Sequence, residues 1–152
     1  MSGASVLATR ACLRTGVGKV ITHTPKRNYE IMQISVPEAV LQMDTEETIF
    51  SEPVDTEDYH AMGIGPGLGT SEATAIALIA QLRRCTCPVV VDADALNILA
   101  SHRAWMQQLP KNLIFTPHPR ELDRLAGITS SNCTERLFKH ASLPTVCTAT
   151  SC

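Results

Sequence analysis

The chain is 152 residues long, 44% hydrophobic and 18% charged, enough for one compact domain with a single core and too short for two ordinary ones. Its 13 basic and 15 acidic side chains are spread along the sequence and leave a formal charge of -2, which offers no electrostatic footprint for nucleic acid or an anionic membrane. No apolar run approaches the roughly 20 residues that span a bilayer, and MSGASVLATRACLRTG lacks the basic-then-apolar layout of a signal peptide, so a soluble cytoplasmic protein is the default expectation.

Residues 3–15, GASVLATRACLRT, read as a helix whose small residues allow close approach of a neighbour, ended by Gly16. KVITHTP (19–25) is a β-branched run closed by proline, hence a strand. NYEIMQISVPEAV has no clear period and reads as loop, and the acidic stretch 45–60 reads as solvated surface. AMGIG is then a short strand, followed by a helix over 71–84 with Ala75, Ile76, Ile79 and Leu82 on its apolar stripe and Thr70 or Ser71 placed to cap it. PVVVDA (88–93) has the almost wholly apolar pattern of a strand covered on both faces, ALNILASHRAWMQQL is helical, and NLIFT (112–116) is another buried strand. The last helix begins at Pro119 and stops before Gly127. Repeated strand-loop-helix units predict parallel strands with right-handed crossovers, an α/β fold whose ligand site lies at the carboxyl ends of the strands.

The six cysteines include no C-x-x-C pair, and the spacing of Cys85 and Cys87 matches no common zinc framework, so reduced structural thiols are expected. The other histidines and Trp105 read as core or surface groups.

Three loops fall at the carboxyl ends of strands: GPGLG, DADALN and TPHP. GIGPGLGTSE is neither a dinucleotide fingerprint, which needs glycine at 68 or 70, nor a Walker A loop, which needs Gly-Lys before Ser or Thr. Gly65, Gly67 and Gly69 instead leave bare backbone, which with the helix start at Ser71 makes an anion-receptive surface or simply a tight turn. Asp92 and Asp94, two apart on extended chain, would point to one side and could hold a hydrated Mg²⁺ or a ligand hydroxyl, or one of them caps the next helix. Asn97 would support that turn. His118, between two prolines, is presented from a stiff segment, in a structural or a ligand-binding role.

With GASVLATRACLRTGVGKV, GIGPGLG, VVVDADALN and FTPHPRELDRLAG in this order, the chain resembles the ADP- or ATP-dependent NAD(P)H-hydrate dehydratases of the ribokinase-like superfamily over residues 1–137. The resemblance implies a three-layer α/β/α fold with a mostly parallel central sheet, incomplete here at both ends, and a repair reaction that dehydrates (6S)-NADHX or NADPHX to NADH or NADPH with ADP or ATP as co-substrate and Mg²⁺ as its companion. By position it implies that Ala4, Gly65, Gly67, Gly69 and His118 contact the dinucleotide hydrate, while Asp92, Asp94 and Asn97 shape the site. It further implies a homo-oligomer, a tetramer in many members, and in some parents fusion to an epimerase domain.

Two departures accompany the resemblance. TPHPRE replaces the usual TPHPGE, so that Arg120 stands where there is ordinarily no side chain. The family's lysine-glycine segment and G-x-G-D turn, with the aspartate that activates the substrate hydroxyl, have no counterpart after Gly127. No catalytic residue is therefore assigned, the chain alone is expected to be inactive, and residues 138–152 read as a divergent tail, disordered or out of frame. The competing readings are a ribokinase-like kinase of a small alcohol and a non-catalytic remnant.

Overall fold

Small residues at the start of the chain build α1, Ser2–Arg14, in the computed structural model, which describes residues 1–128. The proposed boundary at 137 and the tail 138–152 lie outside the described residues. The Thr9 hydroxyl of α1 donates to the Ser5 carbonyl at 2.7 Å and accepts from Thr22 at 2.9 Å, fastening the helix to strand β1, Ile21–Thr24.

After β1 the chain departs from the expected loop. A 3₁₀ turn over Lys26–Asn28 leads into α2, Tyr29–Ser35. The buried Asn28 amide donates to the Thr24 hydroxyl at 2.7 Å, and Met32 and Val36, four residues apart, meet Val6 and Ala39 in a small core. Arg10 of α1 donates to the Ser35 carbonyl at 2.8 Å, satisfying an end that would otherwise lack a donor. Packing thus supplies the helix that local periodicity does not announce. β2, Val40–Met43, follows and pairs in parallel with β1, Ile21 opposite Val40 and Thr24 opposite Met43.

The stretch 45–60 has neither helix nor strand, but it is not simply solvated surface. Phe50, Val54 and Thr56 are buried. Gln81, fully buried, accepts from the Val54 N–H at 2.6 Å and donates to the Val54 carbonyl at 3.2 Å. One side-chain amide satisfies both backbone groups, and that is what lets a loop enter the interior.

The remaining elements are β3, Met62–Ile64; α3, Glu72–Arg84; β4, Val89–Val91; α4, Asp94–Ser101; α5, Arg103–Met106; β5, Leu113–Phe115; and α6, Pro119–Ala126. The three strands are parallel in the order β3-β4-β5, with Ile64, Val91 and Phe115 in one row. That row and Val89 pack against Ala75, Leu78 and Leu82 of α3 and Leu96 and Leu99 of α4. Each of the leucines contributes about 2 kcal/mol by leaving water.

Three expectations need correction here. Ile76 is 57% exposed, because the buried face of α3 runs through Ala75, Leu78, Ile79 and Leu82 and position 76 is turned about 100° from Ala75. The helix expected over 95–109 is broken at His102, which has φ -119° and ψ 56°, turns its Nδ1 to the Ile98 carbonyl at 3.1 Å and stacks on Trp105 with centroids 4.1 Å apart. The strands are not covered on both faces by described residues: Val90 and Ile114, alternating with the inner row, remain exposed.

Alternation on β1 gives the layer order. Thr22 faces α1, whereas His23 turns edge-on to Phe50, with centroids 5.6 Å apart, and Phe50 belongs to the core of α3 and α4. Helices α1 and α2 therefore lie on one side of the two-stranded β1–β2 sheet and the α3–α4 core, through Phe50, on the other, which gives the three-layer α/β/α arrangement at this pair of strands.

Candidate ligand-binding site

The loops after the parallel strands β3, β4 and β5 fall at one edge, and the first two are locked together. Gly65, Pro66, Gly67 and Leu68 form a turn closed by the Leu68 N–H on the Gly65 carbonyl at 3.1 Å, with proline second and a positive-φ glycine (φ 70°) third, the type II pattern. Gly65 (φ 132°) lies so close to the Asp92 carbonyl that a Cβ there would overlap it. At Gly67 a Cβ would come within 2.7 Å of the Met1 carbonyl oxygen and 2.8 Å of the Ala4 Cβ. Glycine thus serves close backbone approach on both sides, and the structure brings Ala4 and the glycine loop together.

The carboxylates behave differently from the simplest expectation. Ala93, between them, has φ 49° and ψ -120°, a conformation costing on the order of 1–3 kcal/mol, so the chain is not extended there and the alternation argument for Asp92 and Asp94 does not apply. Neither aspartate caps α4: Ala93 is its N-cap residue and has no side-chain cap. Asp94 instead accepts from the Gly69 N–H through Oδ2 at 2.9 Å, tying the second loop to the first. With the Leu68 and Gly69 N–H groups both donating inward, the loop offers less bare donor surface than its glycines suggest.

His118 is the N-cap of α6. Its Nδ1 accepts from the Arg120 N–H at 3.1 Å, its own N–H donates to Glu121 Oε2 at 2.9 Å, and Nε2 lies 3.3 Å from Glu121 Oε1. This is a capping box with histidine in the serine position. Because Nδ1 accepts, the proton sits on Nε2, facing the buried Glu121. The ring is about half exposed, at the carboxyl end of β5.

Asn97 does not support the Asp-Ala-Asp turn with its side chain. Its Oδ1 accepts from Arg124 Nη1 at 2.5 Å, joining α4 to α6. Arg103 in turn donates to the carbonyls of Arg124 and Leu125 at 3.1 and 2.9 Å, closing the end of α6 before Gly127 (φ 67°). Thr70, Asn97, Ala100, Ser101 and Arg124 line an open cleft of about 480 Å³ beside the glycine loop. Arg124 is not marked by the sequence reading, and Thr70 is marked there only as a candidate helix cap. The signal was their position: Thr70 directly follows the last loop glycine, and Arg124 sits in the final turn of the helix that His118 opens.

A second polar cluster closes the β1–β2 unit. Asp44, fully buried, accepts from the N–H groups of Ser51 at 2.8 Å and Glu46 at 3.0 Å, from the Ser51 hydroxyl, and from His23 Nε2 at 3.0 Å. Burial pushes its carboxyl up, but the Ser51 hydroxyl, the two N–H groups and His23 together outweigh burial and hold it at about 2. Among the described residues, no group of three or more His, Cys, Asp or Glu side chains is placed to hold a metal, and no helix is long and apolar enough to cross a membrane.

Known proteins resemble this chain over most of its length. The sequence model of a family described as NAD(P)H-hydrate dehydratase matches residues 1–149. The ADP-dependent (S)-NAD(P)H-hydrate dehydratase of Neisseria meningitidis is 41% identical over 134 residues, covering 85% of this chain and 43% of that protein. The bifunctional NAD(P)H-hydrate repair enzyme of Moorella thermoacetica is 34% identical over 146 residues, covering 89% and 27%. Among solved structures, the ADP/ATP-dependent NAD(P)H-hydrate dehydratase of Bacillus subtilis, co-crystallised with ATP and Mg²⁺ and soaked with CoA, superposes with a TM-score of 0.66 at 29% identity, covering 84% of this chain and 45% of that one. A ribokinase-like protein of Enterococcus faecalis, 21% identical with a TM-score of 0.70 and covering 93% and 50%, shares the fold. The chain spans less than half the length of the curated relatives it matches here.

Proposed function

The chain belongs to the NAD(P)H-hydrate dehydratase family, and from that premise we propose that it carries the substrate side of a repair site in which ADP or ATP drives dehydration of (6S)-NADHX or NADPHX to NADH or NADPH. The observation that carries the reading is the interlocking of the first two loops with each other and with the start of α1: Gly65 against Asp92, Gly69 on Asp94, and Gly67 against Ala4. A surface of Ala4, Gly65, Gly67 and Gly69 presents little side chain, so a flat dinucleotide can lie on it closely. His118 borders that surface with its tautomer already fixed. Asp92, Asp94 and Asn97 shape the floor, Asn97 with its amide oriented by Arg124.

The chemistry asks for activation of a hydroxyl. Hydroxide leaves poorly; phosphorylated by the nucleotide, the same oxygen leaves with its phosphate and the dihydronicotinamide is restored. Protein groups in such transfers act mainly by positioning and by stabilising charge. A Mg²⁺ ion accompanying the nucleotide needs only one or two carboxylates beside water and phosphate oxygens, so Asp92 or Asp94 alone would suffice, and it would neutralise phosphate charge when bound. A homo-oligomeric parent and fusion to an epimerase belong to the same proposal, the latter supported by relatives that are bifunctional repair enzymes.

The test is a melting curve of the chain with NADPHX and, separately, with AMP. A ligand that binds only the folded state raises the transition by an amount that grows with its concentration. NADPHX is expected to raise it, and a transition unmoved by NADPHX at saturating concentration would overturn the proposal.

A further inference from the structure

At the sheet edge opposite the glycine loop, α3 ends at Cys85 and the chain enters β4 through Cys87 and Pro88. Both thiols are buried in the main core, only the exposed Thr86 separates them in sequence, and their sulfurs lie 3.3 Å apart. Packing alone asks only for two small apolar side chains at these positions. It does not ask for two sulfurs facing one another. The Cys87 carbonyl is held by the Asn112 amide and lies 3.8 Å from Cys85 Sγ, so the backbone carrying the second sulfur is anchored to the entry of β5.

We propose that Cys85 and Cys87 form an oxidisable dithiol that closes to an intrachain disulfide when the protein meets a peroxide. The sulfurs need to approach by about 1.3 Å, from 3.3 Å to the ~2.0 Å of a disulfide. Hydrogen peroxide is small and uncharged, and a surface cleft of about 200 Å³ lined by Arg84, Thr86 and residues 54–57 adjoins the pair. In the first step Cys85 sulfur attacks the peroxide: an S–O bond forms, the O–O bond breaks, and the departing hydroxide takes the thiol proton as water. In the second, Cys87 sulfur attacks Cys85 sulfur: the S–S bond forms, the S–O bond breaks, and the oxygen leaves with the Cys87 proton as a second water. Two thiols are oxidised and one peroxide is reduced.

Cys87 is assigned the second step. Burial, then the hydrogen bond and charge of Cys85, push the Cys87 thiol up to about 11, so at neutral pH it is held as a thiol and suits the intramolecular step, where proximity compensates for weak ionisation. Having a resolving thiol in contact also directs the product to a disulfide rather than to higher sulfur acids. A ring this short is strained, and a strained disulfide is readily reduced again.

The test treats the folded chain with hydrogen peroxide, blocks remaining thiols with iodoacetamide in denaturant, and digests with trypsin. Cleavage after Arg84 and Arg103 releases residues 85–103, in which Cys85 and Cys87 are the only cysteines. That peptide is expected two hydrogens lighter and unalkylated, and doubly alkylated once dithiothreitol precedes blocking. In Cys87→Ser the sulfenic acid at Cys85 is expected to persist and to be trapped by dimedone. A wild-type peptide that stays doubly alkylated under peroxide that oxidises the exposed Cys12 overturns the proposal, as does a pair that ends as sulfinic acid or in disulfides to other cysteines.

Discussion

The chain contains two parallel-strand units whose carboxyl ends both finish in acid groups, and the two ends are put to different use. After β2, Asp44 is fully buried and receives four hydrogen bonds from Ser51, Glu46 and His23, which leave it nothing to offer a ligand. After β4, Asp94 spends one oxygen on Gly69, Asp92 is only partly buried, and an open cleft lies alongside. Saturation marks a structural carboxylate and partial engagement a candidate binding one. Position at the end of a parallel strand does not separate them; the count of internal donors does.

The strongest way to break that distinction is at the backbone of the second unit. Gly65→Ala would drive a Cβ into the Asp92 carbonyl at φ 132°, where no rotamer helps. A loss of about 3 kcal/mol in urea unfolding is expected, among the larger effects single substitutions produce. A loss below about 1 kcal/mol would show that the loop yields easily and that its glycines are not needed for close approach.

Asp44→Asn probes the first unit. The folded carboxyl sits at about 2 against its ordinary 3.8, so the folded state favours the ionised form. Its stabilisation is present above pH 3.8 and is lost as pH falls through about 2. The linkage amounts to about 2 kcal/mol, and Asn, which turns an acceptor into a donor facing N–H groups, is expected to lose about that much at pH 7 and to flatten the acid limb of the stability curve. An unchanged acid limb would mean that Asp44 is not the group responsible.

Asp94→Ala sharpens the contrast from the other side. It removes one hydrogen bond to an exposed loop, so stability is expected to fall by only about 1 kcal/mol. The melting-temperature rise produced by NADPHX is expected to shrink much more than stability does. Equal changes in the two would assign Asp94 the same structural role as Asp44. The smallest effect is expected for Ile76→Ala, within about 0.5 kcal/mol by urea unfolding, because that side chain is mostly outside the core.

Much of the fold is legible in the sequence where one signal suffices. The glycine turn, the Ser71 cap of α3 and the bounds of α6, with Pro119 just inside and Gly127 just beyond, all follow from local chemistry. α2 and β2 are not legible, because Met32, Val36 and Asn28 are explained only by α1 and β1 around them. In the candidate site, the order of motifs announces which loops meet. It does not announce how: Ala93 reverses the chain between two aspartates, Asn97 reaches to Arg124 rather than into its own turn, and His118 is committed to a helix end. The aspartate and Asn97 contacts are tertiary choices, made by partners 25 and 27 residues away, Asp94 to Gly69 and Asn97 to Arg124, whereas the His118 cap is local, to Arg120 and Glu121.

The Gln81 amide behaves as a stray peptide group. It presents one acceptor and one donor to Val54 as an adjacent strand would, so that a helix acts as the neighbouring rung of a ladder for a segment that has none. The rotation of α3 about its axis is thereby indexed to residue 54, and with it the start of the helix ten residues earlier, where Ser71 caps the Thr74 N–H.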